Sequence, residues 1–484
     1  MSITPQSGAS AAQPDVLIIG AGLAGLSAAV ALSGAGANVS LLERKPYVGG
    51  RAYSYPHPAL DEVIDSQHVL LGCCTNLVNL CQLSGADQHI RWYDRITFLE
   101  PATSTRPTRR SDIGPSFLPA PGHSSLSFLN APMLSLADKL SIALGLLDFL
   151  RGFPATDEEA FSTWLQRTKQ TPNSIRHFWE PVIVGALNDS FDRCSTRYAG
   201  QVFHESFLKS PEGGRLGIPS QPMSEFYAST ARLAEQQGTT LHLRTSIDRI
   251  EQTPDGQWHA YTSDGATHTA PQLILALPFE QIGRLVATLS EQHRSALSIN
   301  FDAFIHAPIT TIHLWFDREI TPLDHAAFLD TRIQWVFNKS RIRRFEPNQP
   351  TEPGQYLELV ISASFPELHT TREQIIASAL EELASFFPTV RNAKLLKSGI
   401  LKEARATFSV TPGLDQSRPP ATTRLDGLYL AGDWTRTGWP STMEGAVRSG
   451  RLAAEAVALA TGNETKFISP DLPASGLMRL LTRT

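Results

Sequence analysis

Six residues near the start of the chain, Gly20-Ala21-Gly22-Leu23-Ala24-Gly25, restrict its fold more than any other feature. The apolar run Val16 to Ile19 precedes them and small residues at helical spacing follow as far as Ala35, so they read as the tight turn from a strand into a helix. Glycines there let backbone N–H groups approach a pyrophosphate and let the helix sit close to the strand. A second apolar run, Val39 to Leu42, completes a right-handed parallel strand-helix-strand unit and ends in Glu43, with Arg44 beside it. Glu43 lies 18 residues beyond Gly25, where a carboxylate accepts hydrogen bonds from ribose hydroxyls and repels a 2′-phosphate. The pattern predicts a Rossmann-type dinucleotide site built from Gly20, Gly22, Leu23, Ala24, Gly25, Glu43 and Arg44. Gly49-Gly50-Arg51 then favours FAD over NAD: the glycine pair admits a second stretch of an extended cofactor, and Arg51 is placed to meet its phosphates.

The remaining composition excludes several classes. At 484 residues the chain is long enough for two or three domains, and 42% hydrophobic with 18% charged residues is ordinary globular usage. A net charge of −5 gives no broad positive field for a phosphate backbone, so no nucleic-acid partner is expected. Cys73, Cys74, Cys81 and Cys194 form no disulfide framework and no C-x-x-C pair; they read as small buried hydrophobes, with no metal site, and fit a reducing cytoplasm. Met1 to Pro14 lacks the charged and apolar regions of a signal peptide and reads as a disordered lead-in. The best apolar run, Leu140 to Leu150, is too short to span a bilayer and carries Asp148.

Further along, the pattern alternates between two characters. Helix starts are expected at Ser135, at Thr156 with Glu159 as a capping box, and at Thr171 followed by Pro172. Leu241 to Leu277 reads as a small antiparallel sheet turning at Asp255-Gly256 and Asp264-Gly265. Strands are expected at Ile309 to Phe316, Ile333 to Phe337 and Tyr356 to Ser362, with a helix from Arg372 to Phe386 before a final strand. Gly427 to Ala431 reads as a buried strand and Thr442 to Thr461 as a closely packed helix. The fold class is therefore α/β, a discontinuous Rossmann-type FAD-binding domain with an inserted α+β substrate domain. The expected division is FAD-binding parts at 14–90, 231–290 and 401–465, a helical cap at 91–230, a substrate sheet at 291–400, and a tail at 466–484.

Together with Leu428-Tyr429-Leu430-Ala431-Gly432-Asp433 and Thr442-Met443-Glu444-Gly445-Ala446, the glycine motifs closely resemble the flavin amine oxidase and phytoene desaturase superfamily. The resemblance implies FAD as cofactor. It places Gly432 and Asp433 at the ribityl and phosphate region, Thr442 and Met443 beside the isoalloxazine ring, and the adenine near Ile247. The segments Gln67 to Leu77, Trp179-Glu180-Pro181 and Ala186-Leu187-Asn188 further resemble hydroxysqualene dehydroxylases, the squalene-associated FAD-dependent desaturases of bacterial squalene and hopanoid synthesis. That resemblance puts Gln67 and His68 beside the flavin, although Asp65-Ser66-Gln67-His68 lacks the glycine expected there.

The closer resemblance implies reductive dehydroxylation: a hydride from reduced flavin replaces the hydroxyl of hydroxysqualene and gives squalene. A leaving hydroxyl needs a proton, so a general acid is expected, with His68 first and Glu180 and Glu444 behind it. A single glycine fingerprint implies an external electron donor. An apolar isoprenoid substrate implies peripheral contact with the inner face of a membrane, for which the tail, Leu472 to Leu481, is the sequence candidate. The alternatives are a carotenoid (phytoene-type) desaturase or amine oxidase running oxidatively, and a non-catalytic flavoprotein that carries an isoprenoid.

Overall fold

The computed structural model describes residues 13–346 and 354–482. The expected N-terminal lead-in falls largely on residues 1–12, outside the described residues. A five-stranded parallel sheet forms the nucleotide-binding half, in the order Thr240–His242, Val39–Leu42, Val16–Ile19, Gln272–Leu275, Leu428–Leu430. Strands Val16–Ile19 and Val39–Leu42 are short and buried on both faces, which is why they read as apolar runs. Helices Leu23–Gly34 and Met443–Ala460 pack on it side by side, and small residues set their separation. A Cβ on Gly25 would lie 1.8 Å from the Gly20 carbonyl oxygen, and one on Gly450 would lie 2.0 Å from that of Ala24. Ser27 Oγ, between them, donates to the Val447 carbonyl at 2.7 Å.

The second half is a seven-stranded sheet in the order Leu395–Phe408, His306–Phe316, Gln355–Ser362, Trp335–Asn338, His325–Phe328, Ile96–Glu100, Arg109–Ile113. All pairs are antiparallel except His325–Phe328 with Ile96–Glu100. Helix Arg372–Phe386, capped by Thr371, packs its apolar face on the sheet's core. The helical cap carries an aromatic core in which Trp179 stacks edge-on against Phe203 at 4.7 Å and Trp164 at 5.1 Å. Two stretches of this cap, Ile175–Trp179 and His204–Leu208, wind as π-helix, a local over-insertion that re-aims the side chains after it.

Several expectations change. The ends of the 241–277 segment are not antiparallel: Thr240–His242 and Gln272–Leu275 belong to the parallel sheet, and only Ile247–Ala270 forms the three-stranded antiparallel sheet. The 91–230 segment is not purely helical, since Ile96–Glu100 and Arg109–Ile113 are edge strands of the substrate sheet. The 230/231 boundary cuts helix Met223–Gln236, which packs in the nucleotide-domain core, and 400/401 cuts strand Leu395–Phe408. Ser135 and Thr171 cap their helices, but the Thr156 capping box does not form. The helix begins instead at Phe161, and Glu159 holds Arg167 at 3.0 Å. The tail docks: Leu477 N–H donates to the Ala120 carbonyl and Met478 is fully buried. The four cysteines are free and buried.

Candidate active site

Two glycine turns lie back to back at the C-terminal end of the central parallel strands. Gly49 N–H donates to the Ala21 carbonyl at 2.9 Å, and Gly50, at φ +66°, has its open side 2.9 Å from the Gly22 Cα, so a side chain there would push the turns apart. No side chain caps the first helix at Gly22, and the N–H groups of Leu23, Ala24 and Gly25 begin it, leaving its positive end open to an anion. Buried Glu43 accepts from Ala21 N–H at 2.9 Å and Lys45 N–H at 2.8 Å, so it braces the first turn at the corner where the sequence pattern expects a ribose. Thr245 N–H reaches the Glu43 carbonyl at 2.8 Å, which brings the segment just before Ile247 to the same corner. Arg44 points into solvent.

Arg51 does not stand free for phosphates alone: its guanidinium meets Asp433 at 2.5 Å and the Ala406 carbonyl at 3.1 Å. It thereby ties the early glycine motif to the late Gly432-Asp433 motif. Asp433 also accepts from Ser441 Oγ at 2.6 Å, Gly432 N–H donates to Ser449 Oγ, and Thr442 Oγ1 caps the helix that starts at Met443. Tyr227 OH donates to Met443 Sδ at 3.0 Å.

The loop between Asp433 and Met443 depends on a residue that sequence reasoning missed. Arg418 is 1% exposed and donates to the carbonyls of Asp433, Trp434, Thr435 and Trp439 at 2.6–3.3 Å. Its other terminal nitrogen meets Tyr198 OH, which donates to Asp415. A second missed group is the tyrosine pile Tyr47, Tyr53 and Tyr55, with Lys45 Nζ 3.8 Å above the Tyr53 ring and 3.2 Å from the Gly50 carbonyl. The only sequence signal for it was three tyrosines flanking Gly49-Gly50-Arg51.

Of the three candidate acids, His68 lies within electrostatic reach of Arg51 and Asp65. Its Nδ1 is 2.7 Å from the Ser66 carbonyl, which can only accept, so Nδ1 carries the proton and Nε2 has no protein partner among the described residues. Desolvation pushes its pKa below 6.5, partly offset by the Ser66 carbonyl and Asp65. A neutral imidazole with a free Nε2 lone pair is suited to accept a proton, and it must first be protonated to serve as the expected acid.

Glu444 is fully buried and saturated. Its oxygens accept from the N–H groups of Asn76 and Leu77, from Asn76 Nδ2 and from Arg448 Nε at 2.6–3.2 Å. It fastens the start of helix Thr75–Ser84 to helix Met443–Ala460 and has no capacity left for acid catalysis. Glu180 is exposed and sits among Arg176, His177 and Asp330, none of them in the nucleotide motifs. In the same region Glu100, His177 and Asp330 approach one another within 4.8 Å, but Arg106 and Arg109 hold Glu100, which makes the group an ion-pair network.

The paired glycine turns, the open helix end, the ribose acid and the Arg51–Asp433 tie fit a long dinucleotide lying from Glu43 to Met443. Residues 23–458 match the flavin containing amine oxidoreductase family model, and the chain belongs to that family. It is an FAD-dependent oxidoreductase acting on an organic substrate. The 15-cis-phytoene desaturase of tomato (Solanum lycopersicum) is 26% identical over 92% of this chain and 77% of its own length. The zeta-carotene desaturase of Synechocystis is 26% identical over 91% of this chain and 96% of its own. Among solved structures, an oxidoreductase from Methanosarcina mazei superposes with TM-score 0.67 at 19% identity, covering 92% of this chain and 99% of that one. Cyclohexylamine oxidase from Brevibacterium oxydans superposes with TM-score 0.63 at 18% identity, covering 93% and 99%.

FAD, when bound, supplies a two-electron centre that exchanges hydride with the substrate. The residues that would hold it are those of the paired glycine turns, the open helix end, Arg51 and the segment from Gly432 to Met443.

Proposed function

We propose that the chain oxidises or reduces a long, apolar polyisoprenoid, and that desaturation is the better-supported direction. The observation that carries this reading is His68, a desolvated imidazole whose one ring hydrogen bond among the described residues, to the Ser66 carbonyl, leaves Nε2 free as a base. A desaturation removes a hydride and a proton from adjacent carbons, so it needs such an acceptor. The carotenoid desaturases that align along most of the chain support the same substrate class and direction. The second reading is reductive dehydroxylation of hydroxysqualene, in which C–O cleavage releases water after protonation and a hydride completes the new C–H bond. The sequence of Gln67 to Leu77, with Trp179-Glu180-Pro181 and Ala186-Leu187-Asn188, favours it. Here the proton comes from a bound water or from His68 once protonated. In either case an external redox partner completes the cycle.

The same reading gives the substrate a lipid source. Helix Leu136–Phe149 turns Leu136, Leu140, Leu144 and Leu147 outward, each 57–80% exposed. Monomeric soluble surfaces rarely leave such a stripe bare. Its face carries no free carboxylate: Asp138 is buried in the capping box, and Asp148 holds Trp164 Nε1 and Arg167. Lys139 on the same helix and Arg151 just after it supply positive charge. The docked tail sets Leu477 and Leu480 close to the segment bearing Phe117. The apolar stripe and its basic fringe suit an anionic bilayer surface. Among the described residues no helix is long and apolar enough to cross a membrane.

Anaerobic mixing tests the direction. Oxidised holoprotein that bleaches with a phytoene-type hydrocarbon is a desaturase; photoreduced holoprotein that regains its yellow spectrum with hydroxysqualene, yielding squalene, is a dehydroxylase. Silence in both experiments, with tight isoprenoid binding, would overturn both and leave a carrier.

A further inference from the structure

Beneath the Ser66–His68 loop lies a buried charge cluster that the nucleotide motifs do not use. Lys339 Nζ is 3.0 Å from Asp65, 3.3 Å from Glu358 Oε2 and 2.7 Å from Gln67 Oε1. Glu358 Oε1 accepts the Gln67 backbone N–H at 2.5 Å. Gln67 Nε2 in turn donates to the His68 carbonyl at 2.9 Å, so both the backbone and the side chain of Gln67 are clamped immediately before His68. Lys339, Asp65 and Glu358 are at most 3% exposed.

The charges do not balance. Two carboxylates face one ammonium, and an excess buried negative charge is costly. Among the neighbours the one opposing charge is Arg343, which acts on Asp65 from a partly exposed position at the rim of the cluster. From strand His306–Phe316 come Thr311 and His313, whose imidazole burial drives down to about 3, so it stays neutral. Tyr356, on the strand of Glu358, shares a hydrogen bond with His313 and stays protonated. Arg343, on the helix of Lys339, directs its guanidinium to the Val63 carbonyl and acts on Asp65 rather than on Glu358; Glu62 and His57 approach from the hairpin ending at Asp65. His68 and Arg51 lie on the flavin side.

One proton neutralises the fully buried triad of Asp65, Lys339 and Glu358, and its seat is legible. Asp65 has both oxygens engaged, by Lys339 and by Met223 N–H at 3.2 Å. Glu358 Oε2 is buried and, despite its nearness to Lys339, makes no well-oriented hydrogen bond. We propose that Lys339 and Glu358 are positioning residues for His68: the cluster takes up or releases one proton on Glu358, and the grip on Gln67, hence the placement of His68, follows that proton. Burial raises the Glu358 carboxyl to about 7, Lys339 opposing it, which sets the change near neutrality. An ionised Glu358 holds the Gln67 N–H through a charge-assisted bond and a protonated one holds it more weakly. The inference rests on the reading of His68 as the group that exchanges the substrate's proton.

The test uses infrared difference spectra of full-length apoprotein and the visible flavin spectrum of holoprotein, both against pH. Parent apoprotein shows a buried carboxyl band titrating near 7, absent in Glu358→Gln and displaced to higher pH in Lys339→Met, where the compensating charge is gone. In holoprotein the flavin band shifts across the same pH range in the parent and stays flat in Glu358→Gln, which is near-isosteric. His68→Gln keeps the carboxyl titration while losing turnover. A band that persists in Glu358→Gln, or a flavin response unchanged by that substitution, overturns the proposal. If the carboxyl and flavin responses appear as stated but His68→Gln turns over normally, the functional reading fails and the proton seat stands.

Discussion

Replacing Arg418 with methionine should cost the protein its FAD before it costs the fold. The guanidinium donates to four main-chain carbonyls of the 433–439 loop from a position that is 1% exposed. Methionine fills much of the volume but leaves those carbonyls without a donor. Each stranded buried acceptor costs about 1–3 kcal/mol. The losses do not add in full because the loop relaxes, so a total of about 3–5 kcal/mol is expected, the usual cost of breaking a buried ionic contact. The loop carries Asp433 and leads into Met443, so it must be ordered to hold the nucleotide. The energy then appears as a weaker FAD dissociation constant, by about two to four orders of magnitude. Titrating apoprotein with FAD and following quenching of flavin fluorescence measures it. Arg418→Lys should recover only part, since an ammonium cannot reproduce the planar fork. An Arg418→Met protein with the parent's FAD affinity would refute the assignment of Arg418 as the organiser of this loop.

Gly50→Ala should abolish FAD retention while leaving the far-ultraviolet circular dichroism unchanged, because its Cβ would meet the Gly22 Cα at 2.9 Å in a left-handed backbone; yellow purified protein would refute this. Leu140→Gln with Leu144→Gln should reduce co-sedimentation with anionic vesicles without lowering the melting temperature, and a loss of dimer in place of vesicle binding would reassign the stripe to self-association. His313, depressed to about 3, stays neutral in the fold while the unfolded chain protonates it below about 6.5, so it subtracts stability as pH falls through that window, by roughly 1.4 kcal/mol per pH unit. Glu358, raised to about 7, has the opposite sign between about 4.3 and 7, so the measurement belongs in Glu358→Gln protein: adding His313→Gln should flatten its urea-stability profile between pH 6.5 and 4.5, and an unchanged slope would refute it.

The nucleotide half was legible because its signals are local. Gly20 to Gly25, Glu43 and Gly49-Gly50 announce themselves through spacing, and helix Arg372–Phe386 through its apolar rhythm and Thr371 cap. The errors fell where distant contacts decide. Strand Thr240–His242 looks like the start of a hairpin until it is seen beside Val39–Leu42. Glu444 looks like an acid in a flavin motif until helix Thr75–Ser84 is found resting on it. Arg418, Lys339 and Glu358 carry no pattern of their own, because a buried ion is recognisable only by what surrounds it.

The parallel sheet collects its strands from near residues 16, 39, 240, 272 and 428. During synthesis, then, the first two strands emerge long before the partner that flanks Val16–Ile19 on its other side, and Gln272–Leu275 stays an open apolar edge until Leu428–Leu430 leaves the ribosome. Loading of the coenzyme therefore waits for the strand Leu428–Leu430, and polypeptides stalled before residue 428 should be clients for chaperones rather than partly active enzymes.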